Sequence, residues 1–322
     1  MSIFRSLEEA RGNFGPSALT IGNFDGVHRG HQVIFREVVR VAGEYGWKPS
    51  VLTFDPHPAK VVAPEHAPKL LGTLEQRCRW IAETGIQQIM ILPFQPETAA
   101  LEPEQFVRQV LVDALDARAV LVGDNFRFGR KQAGNTQVLQ NLGEQFGFEA
   151  WALHAVRLRG KVVSSTAIRK FVHAGKVHLA ARMLGRFFSL EGRVVKGHGV
   201  GGKQTVPTLN MATDAEVLPK EGVYVSRTYD TDTDRKWPSI TNVGHRPTFG
   251  GTSLSIETYL LDELEGETPE RIRVELTHRL REERRFENAE ALRSQILRDV
   301  VRAKSWHRRL QIWRREELAS RL

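Results

Sequence analysis

Residues 19–35 read LTIGNFDGVHRGHQVIF, and this stretch decides the first half of the chain. An apolar, β-branched run ends at Ile21. A loop carrying Gly22, Gly26 and Gly30 follows, and from about His31 apolar residues recur at helical spacing. A strand, a glycine-bearing loop and a helix start make an anion site, because the first N–H groups of a helix point at the loop and glycine lets a phosphate approach closely. His28 and His31 lie three apart across Gly30, so both can face one bound phosphate. Two loop histidines satisfied by ordinary hydrogen bonds are the plain alternative; the strand, His-x-Gly-His and helix context argues against it.

The same alternation continues outward. SALTIG, PSVLTFD, QQIMILPF, AVLVGD and EAWALHAV are strand-like, and helical patterns separate them through residue 155. Repeated β-α units predict a parallel sheet covered by helices, with ligands beyond the carboxyl ends of the strands. STAIRKFVHAG and VHLAARMLG close this half near Gly185. After residue 186 the rhythm changes to short strand-like runs split by Gly, Pro, Asp and Thr, which favours a small antiparallel barrel or sandwich with a terminal helix packed over it. The expected domains are 1–185 and 186–322. The acidic stretch DELEGETPE, 262–270, reads as a hairpin loop.

The composition narrows the class. With 322 residues, 41% apolar and 26% charged, the chain is long enough for two cores and is not disordered. No apolar run reaches the ~20 residues of a membrane span, and the start lacks a signal-peptide core, so a cytoplasmic protein is expected. Cys78 is the only cysteine, which excludes an internal disulfide and a cysteine-based zinc site. The net charge of +8 is concentrated from Arg279 onward, where 13 basic and 7 acidic residues lie. That tail places Leu292, Ile296, Val300 and Val301 at helical spacing, so it reads as a solvated amphipathic helix; no RNA-binding motif accompanies the charge. Neither nucleic acid nor a membrane is expected as a partner, and a homo-oligomer is left open.

Four motifs in the first half, IGNFDGVHRGH, LTFDPHP (52–58), GDNFRFG (123–129) and VSSTAIR (163–169), together resemble the bacterial bifunctional riboflavin kinase/FAD synthetases, whose first half belongs to the nucleotidylyltransferase superfamily. The resemblance runs from residue 17 to 305. It implies a Rossmann-like α/β domain that transfers AMP from ATP to FMN with release of pyrophosphate, followed by a six-stranded barrel that phosphorylates riboflavin, both with Mg²⁺. His28 and His31 then stabilise the charge that develops on the α-phosphate, with Gly22, Asn23, Phe24 and Gly30 completing the nucleotide loop. Ser164, Ser165, Thr166 and Arg169 form a second helix start for the β- and γ-phosphates. The resemblance puts flavin near Phe54, His57, Pro58 and Asn125, although a rigid turn at Pro56 and Pro58, with Asp55 as its cap, and packing of Phe126 and Phe128 would also explain those segments. This half shows no compact carboxylate cluster for the metal, and no nucleophile elbow, since the FMN phosphate attacks directly.

In the second half the resemblance assigns Gly199, Gly201 and Lys203 of GRVVKGHGVGGKQTVPTLNM to ATP, Thr208 and Asn210 to magnesium, and Glu257 of SIETYLLD to proton abstraction from riboflavin. NVGHRPTFGG, 242–251, also matches a family segment. Two departures stand out. Relatives carry a glycine–arginine–x–leucine–glycine–phenylalanine run where this chain has Gly201-Gly202-Lys203-Gln204-Thr205-Val206, and Leu209 replaces an alanine beside the expected metal residues. The alternative reading is therefore an FMN adenylyltransferase alone, with a degenerate kinase domain.

Overall fold

The computed structural model describes residues 1–195, 208–233, 235–248, 251–284 and 286–319. By packing, the chain divides into two compact units, Met1–Ser165 and Thr166–Leu322.

The first unit is built on strands β1 (Ser2–Phe4), β2 (Ser17–Ile21), β3 (Lys48–Asp55), β4 (Gln88–Pro93), β5 (Ala117–Gly123) and β6 (Glu149–Leu153), all parallel, in the order β1-β4-β3-β2-β5-β6. Its helices are α1 (Leu7–Ala10), α2 (Arg29–Tyr45), α3 (Pro58–Val62), α4 (Leu74–Ala82), α5 (Pro96–Ala100), α6 (Pro103–Phe106), continued by a π-helical turn Val107–Val112, and α7 (Thr136–Phe146). Alternate strand residues feed opposite cores. Leu19, Leu52 and Val120 join the α6–α7 side, whereas Ala18, Val51 and Leu121 join the α2–α4 side. This two-sided burial is why the strands read as continuous apolar runs. From β2 the chain winds through β3 to β4, then returns to the other side for β5 and β6. The reversal leaves a crevice beyond the carboxyl ends of β2 and β5, where ligands of open α/β sheets bind. β1 escapes a sequence reading because a strand of three residues carries no period. Cys78 is buried on α4, as its helical setting implies. A small hairpin of β7 (Arg157–Leu158) and β8 (Lys161–Val162) ends this unit.

The second unit opens with α8 (Ser165–His173), whose first residue still packs with the first unit, and α9 (Val177–Leu184). Strands β9 (Phe188–Val195), β10 (Thr208–Ala212), β11 (Gly222–Asp230), β12 (Lys236–Thr248), β13 (Gly251–Leu260) and β14 (Arg271–Arg281) form a closed antiparallel barrel in the order β10-β13-β12-β11-β14-β9, and β9–β10 pairing seals it. Closure leaves no edge strand to protect. Part of the interior is apolar, with Leu190, Ile256, Ile272, Val274 and Leu276 all nearly inaccessible. The rest is a buried hydroxyl chain, in which Ser226 meets Ser239 at 2.8 Å and Thr241 at 2.7 Å, and Thr241 meets Thr258 at 3.0 Å. These hydroxyls satisfy one another, as buried polar groups must.

Two expectations are corrected here. DELEGETPE is not a hairpin loop: β13 and β14 are not neighbours, and the segment between them is held at the β11–β12 turn, where Arg235 donates to the Glu265 and Glu267 carbonyls. The terminal helix α10 (Ala289–Ala319) does pack on the barrel, through Ala303 with Val300 and Trp306 against Val223, Val225 and Ile240, but Leu292 and Val301 are exposed. Gln295 and Asp299 are buried in their place, because Asp299 is paired with Arg281 of β14 at 2.8 Å.

Candidate active sites

In the first unit His28 is the N-cap of α2 (φ −76°, ψ 171°), and its Nδ1 accepts the His31 N–H at 3.3 Å. A neutral ring whose Nδ1 accepts carries its proton on Nε2, which makes Nε2 a donor of the kind phosphate oxygens take. The two imidazoles stack, with centroids 3.5 Å apart and planes 20° apart. His31 rests edge-on against Phe24 at 5.1 Å, and Phe24 in turn against Phe35 at 4.9 Å, so the pair is backed by the apolar core. A Cβ on Gly30 would lie 3.1 Å from the His28 ring, so any larger residue there would press on that imidazole. Phe24 (φ +48°) and Val27 (φ +38°) hold left-handed conformations that L-residues avoid, strain of the sort that clusters at binding loops.

Residues leading into α8 reach the same loop. Ser165 Oγ donates to the Asp25 carbonyl at 2.9 Å, and the Val163 carbonyl lies 3.7 Å from where a Gly30 Cβ would be. Ser164 and Ser165 therefore join His28 and His31, while Thr166 and Arg169 lie further along α8.

The flavin candidates follow the carboxyl ends of β3 and β5, the two neighbours of β2 in the sheet. Phe54 meets Phe94 edge-on at 5.6 Å. His57, not Asp55, caps α3, its Nδ1 accepting the Ala59 N–H at 3.2 Å, and Pro58 takes the first helical position. Asn125 is exposed in a turn closed by the Phe126 N–H on the Gly123 carbonyl at 3.0 Å. Phe128 belongs to the core with Phe126 stacked on it at 5.5 Å, so packing does explain those two rings.

Sequence reasoning missed two residues beneath these loops. Asp25 is buried and accepts the Leu71 N–H at 2.8 Å. Arg77, on α4, is buried and donates to the carbonyls of both Asn23 and Phe54. Burial pulls its pKa below the ordinary value, opposed by the nearby Cys78, Asp55 and Asp25. An arginine three and four residues before Trp80 and Ile81, on the apolar face of α4, was the available signal.

In the second unit strand register assembles the site. Asn210 lies across from Glu257, Glu257 from Asn242, Asn242 from Val223, and Val223 from Arg281, a row over five strands on the outer face of the barrel. A cavity of about 400 Å³ opens there, lined by Thr208, Asn242, Glu257, Tyr259, Arg281 and Phe286 among others. Ser255 Oγ donates to Glu257 Oε1 at 2.7 Å, which orients the carboxylate. Asn242 Nδ2 donates to Glu283 Oε1 at 3.2 Å. Leu209 does not crowd this face. Strand alternation turns it into the barrel, where it is 4% exposed, while Thr208 and Asn210 face outward. The expected nucleotide residues Gly199, Gly201 and Lys203 lie outside the described residues, as do Gly202, Gln204, Thr205 and Val206.

A parallel sheet with paired helix-start imidazoles at its switch point, joined to a closed barrel with a carboxylate and oxygen donors on one face, defines an enzyme of nucleotide phosphates with a site in each half. The comparisons agree. Residues 11–167 match the FAD synthetase family and residues 184–307 the riboflavin kinase family. A bifunctional riboflavin kinase/FMN adenylyltransferase of Pseudomonas fluorescens is 36% identical over 307 residues, covering 95% of this chain and 97% of its own. The one from Escherichia coli (strain K12) is 33% identical, covering 89% and 92%. A crystal structure described as a macrolide-efflux protein from Streptococcus pneumoniae superposes with TM-score 0.85 at 25% identity, covering 95% and 99%. Among the described residues no helix is long and apolar enough to cross a membrane. The chain belongs to the bifunctional riboflavin kinase/FMN adenylyltransferase family.

Proposed function

We propose that the two activities of this enzyme, phosphorylation of riboflavin to FMN and adenylylation of FMN to FAD, run at the two sites described. For adenylylation His28 and His31, with Gly22, Asn23, Phe24 and Gly30, hold the ATP phosphates, and the helix start Ser164, Ser165, Thr166 and Arg169 holds the departing pyrophosphate. Phe54, His57, Pro58 and Asn125 hold FMN. One FMN phosphate oxygen attacks the α-phosphorus in line, the bond to the bridging oxygen breaks, and donors fixed beforehand take up the charge on the equatorial oxygens. The stacked His28–His31 pair at the start of α2, with its ring tautomer set by the cap, is the observation that carries this reading.

In the second unit Glu257 accepts the proton of the riboflavin 5′-hydroxyl, whose oxygen attacks the γ-phosphorus of ATP. Gly199, Gly201 and Lys203 belong to the nucleotide in this reading. Thr208 and Asn210 are oxygen donors on the Glu257 face of the barrel, a set that suits a hard cation retaining waters and phosphate ligands, so they are the residues to hold Mg²⁺. When bound, the ion neutralises phosphate charge. The inward turn of Leu209 removes the steric objection to a working kinase. The proposed domains are 1–185 and 186–322, and the proposed setting is the cytoplasm, where ATP is abundant.

The test is one incubation of purified protein with riboflavin, ATP and Mg²⁺, resolved into riboflavin, FMN and FAD. Wild type accumulates FAD; Glu257→Gln makes no FMN from riboflavin but still converts added FMN; the His28→Ala/His31→Ala double variant stops at FMN. Normal FAD formation by the double variant would remove the phosphate role assigned to the histidines.

A further inference from the structure

Arg77 is 5% exposed, although most of its helical neighbours on that face are apolar. Its Nη1 donates to the Asn23 carbonyl at 2.8 Å and its Nη2 to the Phe54 carbonyl at 3.0 Å. Asn23 sits in the loop that carries His28 and His31. Phe54 lies at the carboxyl end of β3, which delivers the acceptor segment. Its Nε is also buried, without a hydrogen-bond partner, so the guanidinium directs one N–H of each terminal nitrogen at these two loops while its inner N–H goes unmet.

That is a costly way to fill space. Withdrawing a guanidinium from water is costly, and a well-packed apolar residue of similar volume is often neutral or stabilising in such a place. What an apolar residue cannot do is hold two backbone carbonyls at once. The guanidinium is planar, and its two terminal nitrogens keep a fixed separation, unlike the single ammonium of lysine. Thr53 Oγ1 adds a weaker tie to the same Asn23 carbonyl at 3.4 Å, and the Gly22 N–H joins the Leu52 carbonyl at 3.1 Å, so the two loops are laced together from β2 and β3, with Arg77 as their only link to α4 among these contacts.

We propose that Arg77 is a positioning residue for adenylyl transfer: by holding the Asn23 and Phe54 carbonyls on one guanidinium, it sets the distance and line between the α-phosphorus of ATP and the attacking phosphate of FMN. It touches neither substrate. The inference rests on the assignment of the two loops to ATP and FMN made above. Each substrate is bound by its own loop, so loss of the brace leaves binding in place and disturbs only their mutual geometry, where an error of about 1 Å costs about 100-fold in rate.

The experiment compares Arg77→Gln and Arg77→Lys with wild type in the full chain. It measures ATP affinity by titration calorimetry, kcat and KM for FMN adenylylation, and riboflavin kinase activity as an internal control. The expected result for Arg77→Gln is a fall in adenylylation kcat of about 10- to 100-fold, with ATP affinity and riboflavin kinase rate unchanged. Arg77→Lys recovers part of the loss. A brace that only stabilised the fold would lower the melting temperature and leave kcat per ATP-binding molecule intact, and that outcome overturns the proposal. If Arg77→Gln binds no ATP, Arg77→Lys decides by the same criterion. The His28→Ala/His31→Ala variant, run alongside, separates the two claims. Should it keep full adenylylation, the loop assignment fails; should it lose activity while both Arg77 variants keep theirs, only the brace fails.

Discussion

Leu209→Ala restores the alanine that the family resemblance leads one to expect between Thr208 and Asn210, and the structure makes that restoration harmful. Leu209 is 4% exposed on the interior face of β10, whereas Thr208, which lines the cavity, and Asn210, across from Glu257, face outward. Truncating a buried leucine to alanine costs about 2–5 kcal/mol, through lost transfer energy and the cavity left behind. In a unit of this length each kcal/mol lowers the midpoint by about 2–4 °C, so a fall of about 4–20 °C is expected. The readout is thermal inactivation of the riboflavin kinase, with KM for ATP measured well below the transition. The expected outcome is a lower inactivation temperature and an unchanged KM. An unchanged inactivation temperature with an altered KM for ATP would show that Leu209 borders the nucleotide, and would refute the argument from strand alternation.

Asp299→Ala leaves the Arg281 guanidinium, which lines the barrel-face cavity proposed for the kinase, without the carboxylate it meets at 2.8 Å. Breaking a largely buried pair costs about 3 kcal/mol, so denaturant unfolding of the second unit should move to lower concentration and KM for riboflavin should rise; an unchanged KM would separate this pair from the cavity. His178, His278 and His307 all have pKa values lowered, in each case chiefly by burial, with cations such as Arg182, Arg302 and Arg227 adding to it. The unfolded chain takes up protons near the ordinary 6.5 and the folded chain resists them, so stability is full above about 6.5 and is lost as pH falls below it. His278→Phe, at a ring stacked 4.2 Å from Trp306, should flatten that dependence in thermal scans from pH 7.5 to 5; an unaltered slope would exclude His278 as its source.

Much of this enzyme is legible in one dimension because the deciding signals are local. A strand, a glycine loop and a histidine-capped helix start occupy a short contiguous stretch, and burial on both faces writes each parallel strand as an apolar run. The same reasoning erred where a residue's partner lies far along the chain. DELEGETPE resembles a hairpin loop because its composition is that of a turn, while the pairing of β13 with β12 and β10, and of β14 with β11 and β9, is set by closing the barrel. Asp299 is buried on a helix whose sequence gives no reason for it, because a buried carboxylate is tolerated only beside a partner, here Arg281, that lies elsewhere in the chain.

The sequence by itself determined the two architectures, the glycine loop and histidine-capped start of α2 and the residue types available there, since period, capping and glycine placement act over a few residues. Only the tertiary structure decided that Leu209 faces the core, that Asn210, Glu257, Asn242 and Arg281 share one row, and that Arg77 ties the loop before α2 to the end of β3. Those facts depend on strand register and on side chains meeting across 54 positions of chain, as Arg77 and Asn23 do. Such distances are fixed by packing and carry no signature in any single segment.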